Sequence, residues 1–254
     1  MAHKNVGDAA SPHSKFASNL LDILDSVEYR RVPFADQFDP VYRLRYEAYR
    51  REDFIAPNSE KVVYDAHDKA PNVYCFGVYI SGKLVSSIRF HYVTPAQRSS
   101  PSVTAFPETL NSLLDEGVSF IDPSRFTTDH EMMLKYPALP FLTLRVVAMA
   151  SEHFDVKYCV SSVRREHAAF YRRVFGSKRL EGVGYYPGIS FPMHLYAAEI
   201  SSIRDRVAQR FPFFMSTRME REAFFEQTGK GEGVKMIAPT ARAAQNDCQE
   251  REKF

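Results

Sequence analysis

The chain lacks the glycine fingerprints GxGxxG and GxxxxGK[ST], and with them the phosphate cradle of the common nucleotide-binding enzymes. Cysteine is scarce. Cys75, Cys159 and Cys248 are odd in number and show no CxxC spacing, so neither a disulfide framework nor a zinc site is suggested, and a reducing cytoplasm fits. Charge of one sign is not in large excess: a formal net charge of +2 argues against a dedicated nucleic-acid binder, although local basic patches remain. No apolar run approaches the roughly 18 residues of a membrane span, and the polar opening MAHKNVGDAASPHS has no signal-peptide core. What is present suits a globular protein. With 44% hydrophobic and 25% charged residues over 254 positions, the chain can bury a full core in one domain with extensions.

Periodicity and punctuation divide the chain. Residues 1–14 read as a disordered polar tail, followed by a short packing helix from Lys15 to Asp25 and a strand from Val27 to Phe34. Asp39-Pro40 marks a helix start, with Asp39 capping and Pro40 supplying a preset φ, and this helix runs to about Arg51. Two strands, Val73 to Ile80 and Lys83 to Val93, are joined at Ser81-Gly82 as a hairpin. A loop rich in Ser and Pro spans 94–104, a short helix opens at Pro107, and a strand over 118–122 precedes an irregular polar stretch over 127–140. From Pro140 the spacing predicts a helix to about Phe154, a buried strand over 157–163, a helix stopped by Gly176, and strands over 179–186 and 193–200. Residues 201–227 read as a helical extension interrupted near Pro212, and 228–254 as a polar tail. The order implies a single mixed sheet covered by helices over 15–200, an α/β (α+β) fold.

Three groups of residues could carry chemistry. In Phe120-Ile121-Asp122-Pro123-Ser124-Arg125-Phe126, Pro123 cannot donate a ladder hydrogen bond, so the strand should end, bulge or part from its neighbour there. Asp122 and Arg125 beside such a gap are either a structural ion pair or part of a site. Arg45 lies on the apolar stripe of the 40–51 helix, where it needs an acidic partner or a ligand, or snorkels to the helix edge. Asp65-Ala66-His67-Asp68 places three potential ligands within four residues, but no further His/Cys pair has ligand spacing, and capping by the aspartates is the ordinary reading; no metal is expected.

Taken together in this order, these residues resemble the acyl-homoserine lactone synthases of quorum sensing and, more closely, the long-chain N-acyl amino acid synthases of the FeeM type. The resemblance runs from about Val27 to Ile200. Arg45 and Tyr49 are similar to the family's Arg-x3-Phe helix pair, Phe54 stands where a tryptophan would, and Asp65 and Asp68 match its Asp-x2-Asp loop. Arg89 is similar to the hairpin arginine, and Asp122, Ser124 and Arg125 resemble the Glu-x-Ser-Arg strand motif. The segment His167 to Gly176 resembles the late helix of the same fold. The resemblance implies a GNAT-like acyltransferase fold with a mostly antiparallel central sheet, and a fatty acyl donor carried on acyl carrier protein. Tyrosine for phenylalanine, phenylalanine for tryptophan and aspartate for glutamate depart from the lactone synthases, and the lost tryptophan and shortened acid speak against adenosylmethionine as substrate.

The expected reaction is amide formation between a long-chain acyl thioester and the amino group of an amino acid, with the phosphopantetheine of acyl carrier protein as donor and no bound cofactor. Asp122 is the candidate base, directly or through water, with Arg45 and Arg125 in the same catalytic group. A structural role, in which Asp122 neutralises Arg45 or Arg125, is the competing reading. Arg89 or Arg125 would pair the acceptor carboxylate, with Tyr49, Phe54, Asp65, Asp68, Ser124 and Phe126 around it. Phe106, Leu110, Phe120, Leu142 and Val146 line an acyl tunnel or are simply core. Arg164, Arg165, Arg172, Arg173, Lys178 and Arg179 form a basic cluster suited to an acidic carrier protein, or a solvated helix face. Lactone synthesis from adenosylmethionine and a non-catalytic module that binds carrier protein or fatty acid are the alternatives. The product is expected to partition into membranes.

Overall fold

Capping and proline placement fix the first elements. The computed structural model describes residues 14–33, 39–186, 191–226 and 236–251; the first 13 residues of the expected tail and the end of the expected 27–34 strand lie outside them. Helix α1 (Lys15–Leu24) starts where Ser14 Oγ accepts from the Ala17 N–H, and it buries Ala17, Leu20, Leu21 and Leu24. Helix α2 (Pro40–Arg51) begins as expected: Asp39 Oδ1 accepts from the Val41 N–H at 2.8 Å and Pro40 sits in the first turn.

Strands β1 (Val27–Arg31), β2 (Val73–Ile80), β3 (Lys83–Val93) and β4 (Phe120–Thr128) form an antiparallel meander; β5 (Tyr158–Val163) then joins β4 in parallel. Strands β6 (Lys178–Gly184) and β7 (Met193–Glu199) complete that side, and the short β8 (Met236–Ile237) pairs with the far edge of β1. The order across the eight-stranded sheet is β6-β7-β5-β4-β3-β2-β1-β8. The parallel pair is short. Only Phe120↔Tyr158 and Ile121↔Cys159 are in register, so β4 and β5 part immediately before Asp122 and Pro123. Pro123 therefore does not end its strand; β4 stays paired with β3 through Thr128 while it leaves β5.

Alternation of side chains gives the sheet two different faces. One carries the main core: Tyr74, Phe76 and Val78 of β2 and Phe90 of β3 pack under α1, helix α6 (Leu139–His153) and helix α9 (Arg218–Phe225). The other face holds two smaller cores. Val41, Tyr42 and Cys75 pack at one end, and Phe106, Leu110 and Phe120 with β5 and β7 at the other, beneath helices α3 (Pro101–Ala105) and α4 (Pro107–Asp115).

Four stretches differ from expectation. The Ser/Pro-rich loop contains α3, capped by Ser100; the irregular 127–140 stretch contains α5 (His130–Lys135), capped by Asp129; and the first turn of the 164–176 helix is a 3-10 turn leading into α7 (Ala168–Phe175). The expected polar tail supplies β8 and helix α10 (Ala241–Arg251), with Ile237 and Ala241 buried. Low hydrophobicity hid these elements, because their contribution is capping and a few apolar contacts. The extension is anchored by Arg145 of α6, whose guanidinium makes a two-pronged pair with Glu220 of α9 at 2.6 and 2.9 Å and donates to the Phe213 and Met215 carbonyls.

Candidate active site

Five charged side chains on the smaller-core face alternate in sign. Asp65 caps the 3-10 turn Ala66–Lys69 in a capping box with Asp68, which holds both carboxylates toward the sheet. Arg45 Nη1 donates to Asp68 Oδ1 at 2.8 Å; Arg89 Nη1 lies 2.8 Å from Asp68 Oδ2 and 2.6 Å from Asp65 Oδ1; Arg125 Nη2 reaches Asp65 Oδ2 at 2.5 Å. Arg45 thus finds an acidic partner rather than snorkelling out. Burial raises both carboxyls, but the arginines outweigh it and hold Asp65 and Asp68 below the usual carboxylate range. With three guanidinium groups and two carboxylates the chain carries one uncompensated positive charge.

That charge emerges at Arg125. The Arg45 and Arg89 side chains are 0% and 1% exposed, whereas Arg125 and Asp65 are 12% and 20% exposed. Arg89 is also committed through Nε to Ser124 Oγ at 3.0 Å. A bulge delivers Arg125 to this face: between the pairs Ser87↔Thr127 and Arg89↔Ser124, two residues of β4 oppose one of β3, and Arg125 adopts φ +53°. Without the extra residue Arg125 would alternate to the main-core face. Its guanidinium lies 5.3 Å from the Tyr49 ring centre. Tyr49 contacts Phe54, and Phe54 packs on Phe191 at 4.9 Å, so an aromatic shelf extends from the arginine. Phe126 instead packs against the main core.

Asp122 stands apart from the arginines. It is fully buried, and its Oδ2 accepts from the Ser102 N–H at 2.9 Å and its Oδ1 from Ser102 Oγ at 2.5 Å. The competing structural role, neutralising Arg45 or Arg125, is therefore not the one it fills. Ser102 Oγ in turn lies 2.6 Å from Ser162 Oγ on β5. Because the Ser102 hydroxyl donates to the carboxylate, the Ser162 hydroxyl donates to Ser102, and the three groups bridge the parted strands in one direction. Burial raises the Asp122 carboxyl above its ordinary value against the hydrogen bonds from Ser102 and Ser100. Opposite Asp122 on β3 is His91, whose Nε2 donates to the His67 carbonyl at 3.1 Å while Nδ1 is buried without a partner among the described residues. Burial holds this imidazole neutral, with its pKa lowered to about 3.

On the main-core face the gap between β4 and β5 opens into an apolar cleft that is partly open to solvent. Pro123, Cys159 and Ser161 line it from the sheet, Leu144 and Val147 from α6, and Tyr171 from α7. Burial pushes the Cys159 thiol up to about 12, so it stays protonated and is no nucleophile. The residues expected as an acyl tunnel do not line this cleft. Phe106, Leu110 and Phe120 fill a core on the opposite face, and Leu142 and Val146 are packed inside the main core with no exposed surface. Of the two readings, tunnel or core, the packing is that of core, divided between the two faces of the sheet.

Of the basic cluster, Arg165, Arg172, Arg173, Lys178 and Arg179 are exposed. Arg164 pairs with Glu166 and lies over the Phe191 and Phe54 rings, 5.0 and 5.7 Å from their centres, which ties it to the aromatic shelf. Ser102, Ser162 and His91 went unnoticed in the sequence. Only their spatial neighbours give them meaning, and serine in a loop or strand carries no pattern of its own.

The sheet, mostly antiparallel and parted at its parallel pair, with helices on both faces and a cleft at the gap, is that of the acyltransferase class to which N-acyl amino acid synthases belong. More particularly, the family model described as N-acyl amino acid synthase FeeM matches residues 40–199, and the chain belongs to that family. No curated protein matches the chain by sequence. Among solved structures, FeeM, an N-acyl amino acid synthase from uncultured soil microbes, is similar in fold with a TM-score of 0.56 at 16% identity, over 70% of this chain and 93% of that one. The AHL synthase LasI gives a TM-score of 0.49 at 16% identity over 67% and 88% of the two chains. ElaA of Escherichia coli gives 0.45 at 14% identity over 68% and 99%.

Proposed function

We propose that the protein transfers a long-chain fatty acyl group from the phosphopantetheine thioester of acyl carrier protein to the amino group of an amino acid. The observation that carries this reading is the parting of β4 and β5, with an apolar cleft on one face and the Asp122 chain on the other. The acyl chain occupies the cleft, with the thioester carbonyl at the gap. Backbone groups no longer paired between the strands stabilise the oxyanion.

Arg125 receives the acceptor carboxylate, since it carries the accessible end of an arginine-rich network while Arg89 is enclosed by three acceptors. The amine nitrogen attacks the thioester carbon, a C–N bond forms, and collapse of the tetrahedral intermediate breaks the C–S bond. The amine proton passes to Ser162 Oγ while Ser162 and Ser102 hand their own protons along the chain to Asp122; Asp122 then returns one proton along the same chain to the departing thiolate and is ionised again. The exposed basic cluster from Arg165 to Arg179 offers an acidic carrier protein its docking charge.

Lipid extracts of cells expressing the protein, or an Asp122→Asn version, test this by mass spectrometry. New N-acyl amino acids made only by the parent support the reading. Extracts that match an empty control, despite folded protein and added acyl carrier protein, count against it.

A further inference from the structure

The FeeM family match ends at residue 199, yet the cleft continues beyond it. Helix α8 (Ile200–Arg210) contributes Ile203 and Val207 to the lining, and the 3-10 turn Pro212–Phe214 with the next residue contributes Phe214 and Met215. This wall is fixed. Arg145 holds the turn by its backbone, donating to the Phe213 carbonyl at 2.8 Å and the Met215 carbonyl at 2.7 Å, and Glu220 of α9 satisfies the rest of the guanidinium. At the other end α8 packs over Gly176, where an added Cβ would lie 3.6 Å from Ile203 Cγ2. The cleft also bears a sign of a ligand: Ser177 Oγ lines it, is buried, and has no hydrogen-bond partner among the described residues.

We infer that this C-terminal extension sets which acyl chains the cleft accepts, with Val207 and Phe214 as the residues that determine length. The inference rests on the reading of the cleft as the acyl site. An apolar wall discriminates by exclusion, and one methylene more or less in such a pocket changes kcat/KM by about 10-fold to 200-fold. The extension is pinned through Arg145 to the part of the chain that the family model matches rather than hinged on it, so the wall does not yield to a longer chain.

The test is competition among octanoyl, dodecanoyl and hexadecanoyl acyl carrier protein, with product lengths read by mass spectrometry, for the full-length parent, Val207→Phe and Phe214→Ala. Circular dichroism and Tm check that each variant is folded, and Ile203→Phe replaces Val207→Phe if that protein does not fold. The expected result is that Val207→Phe lowers use of the longest accepted donor at least about tenfold relative to the next shorter one, while Phe214→Ala shifts use toward longer donors. Folded variants that keep the parent's order of preference overturn the inference alone. A parent that transfers no acyl group from any of the three donors overturns the functional reading and the inference with it.

Discussion

The guanidinium of Arg125 closes on the carboxylate of Asp65 from a backbone position of φ +53°, which a non-glycine residue occupies only when its surroundings hold it there. The bulge places the accessible end of the arginine network beside the aromatic shelf of Tyr49 and Phe54. Arg125→Lys keeps the charge and loses the planar fork. It should raise KM for the amino acid acceptor at least about tenfold, the loss of one charge-assisted hydrogen bond, and affect kcat less. Initial rates against acceptor concentration check the split; a change confined to the acyl donor would assign Arg125 elsewhere.

The inner end of the network is structural. Arg45 and Asp68 are buried together, so Asp68→Asn, which takes away the carboxylate that pairs with Arg45, strands a charge at a cost of about 3–5 kcal/mol. For a chain of this size that lowers Tm by about 6–20 °C, measurable by calorimetry. A drop no larger than that of an exposed pair such as Arg218 and Glu222 would contradict the assignment.

The serine chain makes a kinetic prediction. Asp122→Asn should lower kcat at least about 100-fold. Ser162→Ala should lower kcat and move the acid limb of the kcat/KM profile to higher pH, since the amine must then lose its proton without help. A serine that only ties α3 to β5 would change Tm and leave the profile in place.

His91 adds a pH dependence of stability. Its folded pKa of about 3 lies below the unfolded value of about 6.5, so the unfolded chain binds the extra proton between these limits. Stability is full above about pH 6.5 and is lost as pH falls toward about 3, at up to about 1.4 kcal/mol per unit. Denaturant midpoints from pH 7 to pH 4 should show this slope for the parent and a shallower one for His91→Gln. Equal slopes would remove His91 as its source.

Much of the fold was legible because it rests on short-range rules. Asp39-Pro40 started a helix, Ser81-Gly82 turned a hairpin, Gly176 ended α7 at φ +60°, and Pro123 marked the place where the strands part. The arginines and aspartates were found as residue types at family-like spacing, but their pairing was not. Arg125 joins the network through a bulge with no signal in the sequence, and Asp122 turned out to face Ser102, because α3 arises in a loop that looked unstructured. The choice between tunnel and core for Phe106, Leu110, Phe120, Leu142 and Val146 was closed to the sequence for a related reason. Apolar side chains on two faces of a sheet look alike in a sequence, and the helix that walls the cleft lies beyond the family pattern.

Amide formation at the β4–β5 gap is tested by incubating purified protein with hexadecanoyl acyl carrier protein and an equimolar mixture of amino acids, with amide and released carrier thiol quantified together. The expected result is N-hexadecanoyl amino acid and free thiol in equal amounts, with amide formation suppressed in Asp122→Asn. Thiol release without amide, or amide formation undiminished in Asp122→Asn, would contradict it.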